Sequence, residues 1–200
     1  AVTVTITGNT DSKVYNGSAQ TVTGYAFAAD STLYLEDYMS FSGSASVSRT
    51  DVGTTAMGLA AGQFSNTNGN FDVTFNVTDG SVTITKLAVT VTITGNTDSK
   101  VYNGSAQTVT GYGFSADSTL YLEDYMSFSG SASVSRTVVG TTNMGLAAGQ
   151  FTNTNTNFDV TYNVTDGSVT ITKLAVTVTI TGNTDSKVYN GSAQTVTGYG

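Results

Sequence analysis

The stretch SVTITKLAVTVTIT, residues 81–94, decides how this chain is read. Val82 and Ile84 alternate with Ser81, Thr83 and Thr85. That is the two-residue period of a β-strand with one aliphatic and one hydroxyl face. Val89, Val91 and Ile93 repeat the pattern, but from odd positions. Burying both sets requires a twist or a bulge near Lys86-Leu87. No glycine, proline or flexible linker interrupts the run. Fully extended, it would span about 46 Å. Two strands are therefore joined end to end.

Working outward, the second of these strands opens a longer block. AVTVTITGNTDSKVYNGSAQTVTGY begins at Ala1, Ala88 and Ala175, a period of 87 residues. The two complete copies differ at seven positions: Ala26/Gly113, Ala28/Ser115, Asp51/Val138, Ala56/Asn143, Ser65/Thr152, Gly69/Thr156 and Phe75/Tyr162. The expected organisation is one domain over 1–87, a second over 88–174, and the start of a third over 175–200; the period is equally compatible with a shifted phase, with units over 27–113 and 114–200 after an incomplete first one. A unit of this size can fold alone, although with a modest core. Repeats this alike point to recent duplication, and a repeated module without a singular site is usually structural.

Within one repeat the period-two signal recurs. Val2, Val4 and Ile6 form a buried face opposite Thr3, Thr5 and Thr7. Gly8–Asp11 reads as a turn, and Asn16-Gly17 as a hairpin turn in which both residues tolerate positive φ. Strands are expected over Ala19–Tyr25, Ser31–Leu35, Ser40–Arg49, a short piece at Thr55–Leu59, Phe71–Thr78 and Ser81–Thr85. In Ser31–Leu35, Leu33 and Leu35 are expected on one face and Tyr34 on the other. Ala60–Gln63 reads as a single helical turn, and Asp79-Gly80 as a second hairpin turn. The expected core includes Val4, Ile6, Phe41, Val47, Phe71, Val73, Val77 and Ile84. Many short strands with regular turn signals predict an all-β fold. The specific expectation is tandem immunoglobulin-like antiparallel β-sandwich domains in a rod.

Composition limits the chemistry. The chain lacks cysteine, histidine, tryptophan and proline. Disulfides, thiolate metal sites and imidazole bases are thereby removed. Charged residues make up 10%, against roughly 25% in an average domain. The net charge is −7, which disfavours nucleic acid and anionic membrane surfaces. No apolar run reaches the roughly 20 residues of a membrane span.

The run Asp11-Ser12-Lys13-Val14-Tyr15-Asn16-Gly17, then Thr21–Tyr25 and Asn76–Thr85, resembles a known repeat type. It is similar to the K-V-Y-D/N-G tandem repeats of very large bacterial cell-surface proteins, related to MBG-type bacterial Ig-like domains. The resemblance spans the whole period. It implies an extracellular stalk or fibre region of an adhesin-like protein and carries no catalytic residues. Those repeats usually have a proline at the junction, where this chain has Lys86-Leu87.

Candidate chemistry is sparse. No G-x-S-x-G elbow accompanies the serines, and the chain is read as non-catalytic. A self-formed Lys–Asn cross-link beside a buried acid would pair Lys13 with Asn76, and Lys100 with Asn163, using Glu36 or Asp72 as the acid in the first copy. Calcium is the one cofactor considered, through Asp11, Asp30, Glu36, Asp37, Asp72 and Asp79, but EF-hand spacing is absent. The leading expectation is a surface stalk whose partners are its own neighbouring repeats. Its functional residues are then the interdomain positions Lys86, Leu87 and Ala88, and Lys173, Leu174 and Ala175. The alternatives are a multivalent adhesin module binding a glycan or host protein, and a subunit of a multi-chain extracellular filament.

Overall fold

The computed structural model describes all 200 residues and is all-β, with no helix longer than one 3-10 turn. The first repeat contains β1 (Val2–Gly8), β2 (Thr10–Val14), β3 (Gln20–Thr23), β4 (Tyr25–Ala29), β5 (Met39–Phe41), β6 (Ser46–Arg49), β7 (Gly53–Ala56), β8 (Phe64–Asn66), β9 (Val73–Thr78) and β10 (Ser81–Thr85). The second repeats this order with β11 (Leu87–Gly95), β12 (Thr97–Val101), β13 (Gln107–Thr110), β14 (Tyr112–Ala116), β15 (Met126–Phe128), β16 (Ser133–Arg136), β17 (Gly140–Asn143), β18 (Phe151–Asn153), β19 (Phe158–Thr165) and β20 (Ser168–Thr172).

Each repeat is built on a bent two-strand ribbon. β1 pairs in parallel with β9, and β2 pairs in parallel with β10. The register carries straight through the bend: Thr7 lies opposite Thr78, and Thr10 opposite Ser81. On one side of the bend β4 completes the sheet β4-β1-β9; on the other, β7 completes β2-β10-β7. Two small two-stranded sheets, β5-β8 and β3-β6, accompany them. The sheets are thus mixed, with the repeat's first two strands parallel to its last two and the remaining pairings antiparallel.

The core follows this division. Val4 and Ile6 are fully buried among Tyr34, Leu59 and Phe64, with Phe27, Phe41, Phe71 and Phe75 packed round them. Val22, Val47, Val82 and Ile84 fill the other part. In the second repeat the same residues separate into two clusters, an aromatic one around Val91 and Ile93 and an aliphatic one around Val169 and Ile171. Met144 packs against both clusters, and in the first repeat Met57 belongs to one continuous cluster with all of these residues, so each repeat has a single core laid out along the ribbon. Of the expected core, Val4, Ile6, Val47 and Ile84 are buried, while Phe41, Phe71, Val73 and Val77 pack half-buried around them.

Several local expectations change. Asp79-Gly80 is not a hairpin turn. Its flanking strands lie in different sheets, and Gly80 lacks the positive φ of such a turn. Gly8-Asn9 is likewise the other side of the bend rather than a wide turn. Asn16-Gly17 does turn the chain, with Gly17 at φ +77° and Asn16 Oδ1 accepting from Ser18 N at 3.0 Å, but it sends β3 to a different sheet from β2.

Ser31–Leu35 forms no strand. Ser31 Oγ accepts from Leu33 N at 3.3 Å and Ser31 O from Tyr34 N at 3.2 Å, closing a turn. Tyr34 is buried, and Leu33 and Leu35 are exposed. The run Ser40–Arg49 divides into β5 and β6, which belong to separate sheets. The expected helical turn is present as a 3-10 turn at Ala61–Gln63, where Gln63 Oε1 accepts from Ala60 N at 2.9 Å.

Residues 175–200 make one isolated bridge, Gly182 to Tyr199. The sequence that buries Val2, Val4 and Ile6 in the first repeat leaves Val176, Val178 and Ile180 exposed here. The local contacts persist, including Gln194 Nε2 donating to Val188 O at 2.7 Å.

Candidate functional site: the joint between repeats

The first repeat passes into the second with one residue outside a strand. β10 ends at Thr85, Lys86 is exposed, and β11 begins at Leu87. Val82 and Ile84 are buried from even positions, and Val89, Val91 and Ile93 from odd ones. Lys86 is where the alternation resets. Leu87 N donates to Asn157 O at 3.0 Å, and the ladder continues as Leu87 opposite Phe158 and Ala88 opposite Asp159. This extra pairing starts β19 at Phe158, whereas the equivalent β9 starts only at Val73. Lys173, Leu174 and Ala175, at the next period boundary, lie outside any strand and are exposed.

Side chains close the joint. Tyr15 of the first repeat meets Phe158 of the second edge to face, centroids 5.4 Å apart at 80°. Leu120 lies over Gly17. Asn157 Nδ2 donates to Asp51 Oδ1 at 2.9 Å, and Asn157 Oδ1 accepts from Val52 N at 2.9 Å. The near-identity of the repeats shows what the joint adds. Asn157 is 8% exposed and Phe158 1%, while Asn70 and Phe71, with no repeat packed against them, are exposed and half-buried. Leu33 is 73% exposed and Leu120 38%.

The loop that offers Asp51 and Val52 is braced from below. Arg49 Nε donates to Asp51 O at 2.7 Å, one terminal nitrogen to Val52 O at 2.8 Å and the other to Thr55 Oγ1 at 2.9 Å. Gly53, at φ +133°, leaves room for the guanidinium, which a Cβ there would strike. Arg136 holds Val138 O and Val139 O in the same way. Arg49→Lys keeps the charge but cannot donate along three directions in one plane. It is expected to lower the stability of the first repeat by about 1.5 kcal/mol, read by chemical denaturation, with Val52 shifting in the amide spectrum.

The other candidates are dispersed. Lys13 lies opposite Ile84 in the β2-β10-β7 sheet and ion-pairs with Asp11 at 3.2 Å, whereas Asn76 lies opposite Thr5 in the β4-β1-β9 sheet. Lys100 and Asn163 are placed equivalently, opposite Ile171 and Thr92. Glu36 and Asp72 are exposed, so neither supplies the buried acid that the cross-link chemistry needs.

The carboxylates considered for calcium are each engaged or apart. Asp30 Oδ1 accepts from Thr3 N at 3.0 Å, Asp11 binds Ser12 N and Lys13, and Asp79 binds Gly58 N and Leu59 N at 2.9 and 2.8 Å. Glu36 and Asp37 sit in the 3-10 turn Glu36–Tyr38. A hollow in the 175–200 segment is lined by Asp185, Lys187, Tyr189, Ser192, Gln194 and Val196. Val22 and Val109, equivalent to Val196, are buried within complete repeats, so the hollow reflects missing neighbours.

No helix is long and apolar enough to cross a membrane. Comparison with protein families, with curated proteins and with solved structures finds no match.

Proposed function

We propose that this chain is a load-bearing stalk region of a surface protein, built from Ig-like repeats that project or connect and do not catalyse. One observation carries the reading: the first two strands of each repeat run parallel to its last two along the whole ribbon, β1 beside β9 and β2 beside β10, and likewise β11 beside β19 and β12 beside β20. The chain enters a repeat at one end and leaves at the other. Tension along the chain pulls β1 and β10 in opposite directions along a shared ribbon. The ladder is loaded in shear, so its hydrogen bonds resist together instead of opening one by one. The single-residue passage at Lys86 transmits that load directly into β11.

Extracellular placement on a bacterial surface follows from the sequence resemblance, and a low-charge Thr/Ser/Asn exterior suits a stalk whose properties depend little on salt.

Single-molecule pulling on the 200-residue chain tests the reading. Two equal unfolding events are expected, each releasing about 30 nm of chain for an 87-residue unit at full extension, less the length of the folded unit. Reversing the geometry, by pulling through residues 29 and 56 on the flanking strands β4 and β7, should lower the unfolding force. Equal forces in the two geometries would overturn the mechanical reading.

A further inference from the structure

We propose that position 51 of the repeat selects the kind of joint made with the repeat that follows: Asp51 specifies a hydrogen-bonded latch on Asn157, and the Val138 that replaces it specifies a joint without one. The proposal draws on the stalk reading only for its consequence, a stalk whose joints differ in stiffness along its length.

Asn157 is the one buried polar side chain of the molecule. It spans the two repeats with both ends of its amide, Nδ2 on the Asp51 carboxylate and Oδ1 on the Val52 backbone. A buried amide group is costly when unpaired. Asp51 is the only partner of Nδ2, while Oδ1 also accepts Val52 N. The carboxylate and the Val52 N–H together fix which way the amide faces, Nδ2 toward the carboxylate and Oδ1 toward Val52 N. Asp51 is a positioning residue for the Val52 contact.

The second repeat keeps everything beneath this latch: the Arg136 brace, Gly140 at φ +130° and Val139 in place of Val52. Only the carboxylate is gone. Val138 and Val139 are 60% and 45% exposed on the end that would meet a following repeat. A valine offers the incoming asparagine Nδ2 no acceptor, so the amide loses one of the two partners that orient it.

The Val52 amide reports the latch directly, because its hydrogen crosses the joint. Hydrogen exchange of the 200-residue chain, followed by NMR, compares wild type with Asn157→Ala, Asp51→Val, Asp51→Asn and Asn70→Ala. Asn157→Ala is expected to speed Val52 exchange about tenfold, the loss of one hydrogen bond. Asp51→Val should speed it about fivefold through lost orientation, and Asp51→Asn, which retains an acceptor oxygen, should restore most of the protection. Asn70→Ala, the same residue with no repeat packed against it, should change nothing at Val52. Unchanged exchange at Ile6 and Ile93 shows that both repeats remain folded. Wild-type protection of Val52 in Asp51→Val overturns the selector role, and wild-type protection in Asn157→Ala overturns the latch. Either result leaves the shear geometry of the stalk reading standing, since that fails only in the pulling experiment.

Discussion

Gly80→Ala is expected to unfold the first repeat at a temperature about 15 °C below wild type while the second repeat melts unchanged. The bend in the ribbon brings two backbones together without side chains between them. A Cβ on Gly80 would lie 2.5 Å from Asn9 O and 2.9 Å from the carbonyl carbon of Gly8, and one on Gly8 would strike Gly80 N. Both neighbours are main chain and cannot rotate away.

Relief requires the parallel strands to separate where Ser81 N donates to Asn9 O at 3.1 Å, and it disturbs Gly80 O, which accepts from Met57 N, just after β7, at 2.8 Å. The φ of Gly80 is open to any residue, so contact alone sets the cost. That cost is about 3 kcal/mol, the upper part of the overpacking range, which in a domain of this size moves the midpoint by roughly the stated amount. Gly69→Ala is the control. It has open space around it, and the second repeat carries Thr156 there. Calorimetry should resolve two transitions in Gly80→Ala. A single wild-type transition would show that the ribbon can absorb the methyl group.

Asp79→Ala acts at the same bend from the outside and is expected to cost about 2 kcal/mol. The Asp79 carboxylate accepts from Gly58 N at 2.9 Å and Leu59 N at 2.8 Å, tying the segment after β7 to the ribbon. Burial pushes its pKa up, but the backbone N–H groups of Leu59, Gly58 and Gly80 outweigh burial and hold the carboxyl below its usual range. Asp166 repeats this with Leu146, Gly145 and Gly167.

A depressed folded-state pKa means that the unfolded chain takes up the proton first. The stabilisation is complete above the ordinary carboxylate range. It is lost as pH falls below about 4 and through the folded-state value. Denaturant midpoints should be flat from pH 5 to 7 and fall on the acid side. Asp79→Asn with Asp166→Asn should lower the plateau and flatten the acid limb. An acid limb as steep as that of wild type would place its origin elsewhere.

What the sequence made legible was what local pattern determines. The alternation of Val2, Val4 and Ile6 fixes a strand and its buried face, and Gly17 turns the chain where Asn16-Gly17 says it should. The change of parity across Lys86 is real and marks the joint. Asp79-Gly80 misled because a dipeptide reports a local preference, whereas a strand's partner is chosen by the whole sheet. The parallel ladder to β1 wins, and the turn never forms.

Leu33 and Leu35 outrank Tyr34 in hydrophobicity, yet Tyr34 is the buried one. Its hydroxyl finds Tyr38 O at 3.1 Å and Asn66 Oδ1 at 3.3 Å, so its ring can be buried without stranding the polar tip. Arg49 was invisible because its partners are backbone carbonyls, which carry no sequence signal. A position that differs between the copies, Asp51 against Val138, carries no chemistry required of every repeat. At a contact between repeats, that difference is the informative one. Asn157 could have been found by asking which loop residues face the preceding copy.

The bent ribbon also governs how such an array can change in length. Each repeat carries both halves of its joint: Tyr15 and Asp51 at one end, and the equivalents of Leu120 and Phe158 at the other. Gaining or losing a whole period by recombination therefore creates no mismatched surface. Every cut and rejoining in phase restores a joint of the same plan. The residue at position 51 travels with its repeat, so an exchange of copies rearranges the order of joint types while leaving the architecture intact.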